Sequence, residues 1–403
     1  MTEHELMEAG PKRLASALMR SGALKTDWLP AYEAAPRHQF VPDTIWPGRA
    51  GANRQDDRVT LEGQPDLWWK AVYRDAPITT QWDHGEYTGP KTGRTPTSSN
   101  SMPTMVFTML ATLDVHHGQE VLEIGTGTGW NAALLSHRLG ADHVVSVEVD
   151  PRTAEDARNR LTLAGLHPLV HVGNGAEGYA ERAPYDRLIA TCSVGSVPAA
   201  WREQTVGGGI IVTPWGPTYG GEAVARLTVA EDGSASGPFV GSSAFMRMSV
   251  QRKGLPPTRS FLDGHEWPAA GVRSETTLSP DDVGEWVHMF AIGVQVPDLF
   301  CRVDWGKNGA YRLWLMDTGV TSWATADYAK GHTEYPVVQS GPRRLWDDLE
   351  TAWHWWDQQG RPGFARFGLT VDNDGEHVWL DSPDQPVPLR AAQCDSDCGC
   401  DHR

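Results

Sequence analysis

The chain of 403 residues carries 51 Asp and Glu against 35 Lys and Arg, a formal charge of -16. Its length predicts two domains. The negative charge argues against nucleic acid, whose binding needs cationic side chains to release counterions, and makes a neutral or cationic peptide the easier partner. No apolar run approaches the roughly 20 residues that span a bilayer, and no basic-then-apolar leader opens the chain, so no membrane partner and a cytoplasmic location are expected.

Residues 3 to 40 have a helical pattern, with Leu6, Leu14, Leu18 and Met19 at near-helical spacing, and end in the turn Pro36-Arg-His-Gln-Phe-Val-Pro42. From Gly48 to Asn100 the chain is rich in Gly, Pro, Thr and Ser and lacks apolar periodicity, which predicts a long loop with aromatic islands at Trp68, Trp69 and Trp82. A helix over Met105 to Leu113 then leads into short apolar runs, Val121 to Ile124, Val144 to Val149, Leu169 to Val172, Arg187 to Thr191 and Gly209 to Thr213. Amphipathic stretches between them, Asn131 to Leu139 and Pro151 to Ala164, suit helices, and this alternation predicts a parallel sheet wound by right-handed crossovers. Ala223 to Ala230 and Pro238 to Val250 alternate like an antiparallel hairpin. Beyond about Lys253 a different, α+β region follows, with Arg312 to Met316, a helix around Trp346 to Trp356, and a hairpin through Phe367 to Leu380 turning at Asn373-Asp-Gly375. The expected division is 1–100, a helical segment and substrate-side loop; 101–252, a cofactor-binding core; 253–390, an α+β extension; and 391–403, a flexible tail.

The stretch Val121-Leu-Glu-Ile-Gly-Thr-Gly-Thr-Gly129 carries the chemistry. Gly125, Gly127 and Gly129 follow an apolar strand and open a helix, so the backbone with Thr126 can approach a ligand where a Cβ would collide. A tight structural turn would look the same. Glu148 ends the next strand, roughly twenty residues on, where a carboxylate accepts both hydroxyls of a ribose, with Val149 beside it. Asn174 and Gly175 could meet an adenine edge, though an ordinary Asn-Gly turn is the simpler account. Glu123 can face a cationic amino group, with Asn131 at the start of the following helix, and buried there it needs such a partner. A dinucleotide is the competing ligand, but its fingerprint wants two residues between the second and third glycines, and here Thr128 stands alone. S-adenosylmethionine, leaving as S-adenosylhomocysteine, has no phosphate to seat. The expected fold class is therefore α/β, a Rossmann-like class I methyltransferase with a doubly wound, mostly parallel sheet and an antiparallel hairpin, plus a C-terminal α+β domain.

Over Arg37 to Gly216 the chain resembles the protein-L-isoaspartate O-methyltransferase family, through Arg37-His-Gln-Phe-Val-Pro42, Ser101-Met-Pro103, Val121 to Asn131, Ala183-Pro-Tyr-Asp-Arg187 and Gly207-Gly-Gly-Ile-Ile-Val-Thr-Pro214. The resemblance implies that Ser101, the serine of the Ser-x-Pro motif, lies beside the acceptor carboxylate. It also implies that Gly173-Asn174-Gly175 is the adenine motif with Asn in place of Asp. The lead-in Thr95-Pro-Thr-Ser-Ser-Asn-Ser-Met-Pro103 and the C-terminal region resemble an actinobacterial branch that modifies ribosomal peptides, lanthipeptides or graspetides. Gly341-Pro-Arg-Arg-Leu-Trp346 and Arg366-Phe-Gly-Leu-Thr-Val371 are similar to that branch's extension. Repair members are expected to resemble the chain only to about Gly216.

A carboxylate is already nucleophilic at neutral pH, so its methylation needs alignment more than a base. Ser101 would hold one acceptor oxygen, with Ser98 and Ser99 as helpers; a helix N-cap ahead of Met105 is the structural alternative for Ser101. Arg37 is expected to tie its turn to the core. The resemblance implies esterification of an Asp in a cyclised ribosomal peptide, leading through a succinimide to isoaspartate or a stable aspartimide. General isoaspartyl repair is the alternative, and a non-catalytic peptide-binding protein on the same fold is a third. Trp346, Trp353 and Trp356 fall on one helical face and are expected in a core. Cys394, Cys398, Cys400 and His402 lack zinc-knuckle spacing and are expected in a flexible tail, with no metal site and no disulfide framework among the chain's cysteines, which also include the isolated Cys192 and Cys301.

Overall fold

Leu14 and Leu18 bury one face of helix α1 (Glu3–Ser21), and helix α2 (Leu29–Ala34) follows within the segment expected to be helical. This is a computed structural model, and it describes residues 3–49, 52–252, 254–262, 264 and 269–390. The tail cysteines lie outside the described residues.

The loop expected from Gly48 to Asn100 is instead a small antiparallel sheet. Strands β1 (Thr44–Arg49), β2 (Ala52–Gln55) and β3 (Val59–Thr60), helix α3 (Pro65–Val72), and strands β4 (Ile78–Trp82) and β5 (Pro96–Asn100) assemble in the order β2-β1-β4-β5, with β3 also on β1. The strands are short and mix Thr, Ser, Gln and Asn with a few apolar residues, and the burial of β4 and β5 does not alternate strictly, so no apolar period of 2 marks them. The aromatic islands are core: Trp68 and Trp69 on α3 and Trp82 on β4 are all buried.

Helix α4 (Pro103–Leu113) leads into β6 (Val121–Ile124), α5 (Trp130–Leu139), β7 (Val144–Glu148), α6 (Pro151–Leu163), β8 (Leu169–Val172), β9 (Tyr185–Ala190), α7 (Ala199–Glu203), β10 (Thr205–Trp215), β11 (Ala223–Val229) and β12 (Ala235–Ser242). Asp150 caps α6 by accepting from the amides of Arg152 and Thr153, with Pro151 at the first helical position. Strands β8, β7, β6, β9 and β10 pair in parallel in that spatial order. The chain winds outward from β6 to β8 and then returns to β9 on the other side. The crevice beyond the carboxyl ends of β6 and β9 is thus the topological switch point, where open α/β sheets bind ligands.

A second unit contains β13 (Val272–Thr276), α8 (Pro280–Gly284), α9 (Trp286–Gly293), β14 (Leu299–Trp305), β15 (Tyr311–Asp317), β16 (Trp323–Tyr328), β17 (Tyr335–Ser340) and α10 (Leu345–Gln358). Its antiparallel sheet runs β13-β17-β16-β15-β14 around Phe261, Phe300, Trp314, Met316, Trp323 and Val338. Trp346, Trp353 and Trp356 of α10 are buried, in agreement with packing from one helical face. The final hairpin, β18 (Phe367–Val371) and β19 (Glu376–Leu380), turns where the Asp372 amide donates to the Gly375 carbonyl at 3.0 Å.

The two units change over at Arg252 and Lys253, with two short segments exchanged across that boundary. The first comprises Met1–Pro214, Val224–Arg252 and Thr370–Glu376, and the second Trp215–Ala223, Lys253–Leu369 and His377–Arg403. Residues 1–100 and the cofactor core therefore fold as one body, and the hairpin tip at Thr370–Glu376 joins it: Thr370 Oγ1 lies 2.7 Å from Ser236 Oγ of β12. Among the described residues no helix is long and apolar enough to cross a membrane.

Candidate active site

The glycine turn after β6 is shaped by close approach. Gly125 has φ +94°, and a Cβ there would stand 2.7 Å from Thr191 Oγ1; Gly127 has φ +54°, and its Cβ would stand 3.3 Å from the Ser99 carbonyl oxygen. Both conformations favour glycine. Gly129 precedes α5 as its N-cap residue. The amide of Gly127, which in a dinucleotide fold would point at a pyrophosphate, donates to Glu148 Oε2 at 2.9 Å, and the Asp150 amide donates to Glu148 Oε1 at 3.1 Å. A carboxylate thus occupies the phosphate direction, an acceptor that fits the hydroxyls of a ribose and repels a phosphate. Val149 is exposed beside it.

Glu123 is fully buried and accepts from Asn131 Nδ2 at 2.8 Å and from Ser146 Oγ at 2.5 Å, while Thr126 Oγ1 lies 2.6 Å from Ser146 Oγ. Ser146 has no motif to mark it in the sequence; the parallel register of β6 and β7 sets it opposite Glu123. Asn174 accepts from the Ala176 amide at 3.1 Å and donates to Glu177 Oε1 at 3.0 Å. Its remaining lone pair and N–H could still meet an adenine edge. Gly175 is held by Trp201 Nε1, which donates to its carbonyl at 2.8 Å.

Burial pushes the Glu123 carboxyl up to about 7, against the lowering bonds from Ser146 and Asn131. The sign follows directly: below that pH the carboxyl holds a proton and cannot pair with an ammonium group. Affinity for S-adenosylhomocysteine is therefore expected to be full in the alkaline range and to fall as pH drops through about 7. The slope should approach tenfold per pH unit, which calorimetry from about pH 5 to about pH 9 measures. Glu123→Gln should flatten this dependence; a flat profile in the unaltered protein would exclude Glu123 as the ammonium partner.

The serines sit on the other wall. Ser98 is buried and accepts from Thr80 Oγ1 at 3.2 Å, and Ser99 and Ser101 are partly buried. Ser101 is not a helix cap: Met102 holds that position on α4, and no side chain caps it. The reason is local, since Pro103 opens the helix one residue too late for Ser101.

Arg37 fixes this segment. Fully buried, it donates from Nε to Asn100 Oδ1 at 2.6 Å and from its terminal nitrogens to the carbonyls of Val72, Arg74, Ala76, Asn100 and Ser101 at 2.8–3.2 Å. Asn100 Nδ2 in turn donates to Thr128 Oγ1 at 2.9 Å, and Gln81 Nε2 donates to Asp150 Oδ2 at 2.8 Å. The serine strand is thereby fastened to the glycine turn, and its neighbour β4 to the loop after β7. Asn100, Thr128, Gln81 and Asp150 escape sequence analysis because each pair is separated by tens of residues.

Comparison with known proteins gives the family. A family model described as "Protein-L-isoaspartate(D-aspartate) O-methyltransferase (PCMT)" matches residues 64–252. The protein-L-isoaspartate O-methyltransferase of Thermococcus onnurineus is 37% identical over 148 residues, 36% of this chain and 67% of the relative. Protein-L-isoaspartate O-methyltransferase 2 of an Anaeromyxobacter species is 35% identical over 193 residues, 47% of this chain and 70% of the relative. A solved structure titled protein-L-isoaspartate O-methyltransferase has a TM-score of 0.51 at 18% identity and covers 92% of this chain and 100% of its own. The family match thus runs past Gly216, and the fold likeness extends well beyond it, so the C-terminal unit does not by itself set this chain apart. S-adenosylmethionine is the cofactor of this methyltransferase family.

Proposed function

Because the chain belongs to the protein-L-isoaspartate O-methyltransferase family, a family of protein carboxyl methyltransferases, we propose that it esterifies the free carboxylate of an isoaspartyl residue in a protein or peptide. The observation that carries this reading is the Arg37–Asn100–Thr128 connection, which holds the Ser98–Ser101 strand against the glycine turn. S-adenosylmethionine supplies an electrophilic methyl group. Glu148 takes the ribose hydroxyls, Glu123 the amino group, and Asn174 and Gly175 the adenine. Ser101, helped by Ser98 and Ser99, holds one acceptor oxygen while the other forms the O–CH3 bond as the C–S bond breaks. No general base is required, because the acceptor is ionised at neutral pH. The methyl ester is then attacked by the neighbouring backbone nitrogen, giving a succinimide and methanol, and hydrolysis opens the ring.

The direct test is mass analysis of an isoaspartyl test peptide and its aspartyl counterpart incubated with enzyme and cofactor. A methyl gain on the isoaspartyl peptide is expected, and none on either would sink the proposal. Ser101→Ala should lower kcat about tenfold to a hundredfold, the worth of one or two well-placed hydrogen bonds. Cofactor affinity should be retained, and unchanged turnover would remove Ser101 from the site. A narrower reading, esterification of Asp in a cyclised lanthipeptide or graspetide with an aspartimide product, is supported by the likeness of Gly341–Trp346, Arg366–Val371 and the lead-in to Ser101 to that branch. Methylation of an ordinary Asp in such a ring, but not of the linear isoaspartyl peptide, would favour it.

A further inference from the structure

We propose that a cleft at the turn joining β4 to β5 is a second peptide subsite, one that binds the carboxylate of an acidic residue flanking the methylated one. This rests on the placement of the acceptor at Ser98–Ser101. The cleft has a volume of about 570 Å³ and is lined by Asp83, His84, Glu86, Tyr87, Arg94, Thr95 and Arg252.

Its wall is built rigidly. Asp83, His84 and Gly85 all have positive φ, +50°, +56° and +85°. Two consecutive non-glycine residues in this region cost about 1–3 kcal/mol each and persist only where surrounding bonds over-determine them. Here the Asp83 carboxylate accepts from the amides of Arg94 at 2.9 Å and Thr95 at 2.8 Å, and the His84 amide donates to Thr97 Oγ1 at 3.1 Å. Behind it the Trp46 ring packs against Trp82 and Tyr87, each at 6.5 Å between centroids.

In formal charge the wall balances, Asp83 and Glu86 against Arg94 and Arg252, so the preference for an anion rests on which side chains keep uncommitted donors. The Asp83 carboxylate is committed to backbone donors. Arg94 is exposed, Arg252 is partly buried and donates to the Arg247 carbonyl at 3.1 Å, and neither forms an ion pair among the described residues. Elsewhere in this acidic chain arginines are commonly neutralised, as in Arg138 with Asp27, Arg312 with Asp327 and Arg366 with Asp381. Two unpaired guanidinium groups from distant segments thus face one cleft against a single uncommitted carboxylate, Glu86. A peptide carboxylate between them completes the charge pairing.

The position follows from strand geometry. Thr95 in the wall lies three residues before Ser98 and six before Ser101, roughly 10 to 20 Å along extended chain at ~3.3 Å per residue. An extended peptide with its acceptor at the serines therefore reaches the cleft with a residue about three to six positions away.

Labelled isoaspartyl peptides bearing Glu or Gln at each position from three to six residues before or after the acceptor, titrated by anisotropy into the full-length protein with S-adenosylhomocysteine at low salt, test this. On one side Glu should bind roughly five- to tenfold tighter than Gln, the worth of one or two partly exposed charge pairs. Arg94→Glu should reverse the preference, favouring Lys over Glu at that position, a gain that a folding defect cannot mimic. Arg252→Gln should shrink the Glu-to-Gln ratio toward one. Equal binding of Glu and Gln peptides on both sides, or a Glu preference that survives both substitutions, overturns the subsite. Because binding is read directly, an absence of methyl transfer would count against the carboxyl methylation and leave this comparison intact.

Discussion

Glu148→Ala is expected to weaken S-adenosylhomocysteine binding by about a hundredfold to a thousandfold. A carboxylate accepting two hydroxyl hydrogen bonds contributes roughly 1.5–3 kcal/mol through each, and about 1.4 kcal/mol is a factor of ten in affinity. The loss extends to the turn itself, because the amides of Gly127 and Asp150 both donate to this carboxylate. Glu148→Gln keeps the shape and one acceptor oxygen, so about a tenfold loss is expected. Burial raises the Glu148 carboxyl above its ordinary value, opposed by the bonds from the Gly127, Asp150 and Val149 amides. Calorimetric titration gives both affinities, and kcat at saturating cofactor separates binding from chemistry. An affinity for Glu148→Ala within threefold of the unaltered protein would remove Glu148 from the cofactor site.

Arg37→Met should cost the first unit about 4 kcal/mol or more of stability, since it strips hydrogen bonds from several buried carbonyls at once and each orphan costs roughly 1–3 kcal/mol. For a unit of this size that lowers Tm by roughly 10 °C. The guanidinium is fully buried among carbonyls and lies 5.5 Å from the Trp130 ring centroid. Burial pushes its pKa down to about 9, opposed by the Asp75 carboxylate, so it remains charged at neutral pH. Lys has three donors where Arg37 serves six acceptor atoms, so Arg37→Lys should recover only part of the loss. Any folded Arg37→Lys protein should show a lower kcat at retained cofactor affinity, because Asn100 and Ser101 lose their anchor. A Tm for Arg37→Met within about 2 °C of the unaltered protein would contradict this account.

The β6–α5–β7 segment was legible because its information is contiguous. A run of apolar residues, a glycine turn and a helix lie within Val121–Leu139, and Glu148 ends the next strand at a spacing that the crossover imposes. Backbone sterics act on neighbouring residues, so Gly125, Gly127 and Gly129 declare a tight approach in the sequence itself. The core face of α10 was legible for the same reason, as helical spacing alone puts Trp346, Trp353 and Trp356 together. The sheet before Asn100 was not: its strands mix polar and apolar burial, and their pairing is decided by partners elsewhere in the chain.

The sequence by itself determined the parallel α/β core, the glycine turn and the two carboxylates at its mouth, through periodicity and spacing over short distances. Only the tertiary structure decided that Glu148 takes the Gly127 amide, that Arg37 and Asn100 fasten the serine strand to Thr128, and that Arg94 meets Arg252 in one cleft. These are contacts between segments tens to more than a hundred residues apart. Local propensity carries no signal for them, because the same polar side chains would be equally content in water until folding removes it.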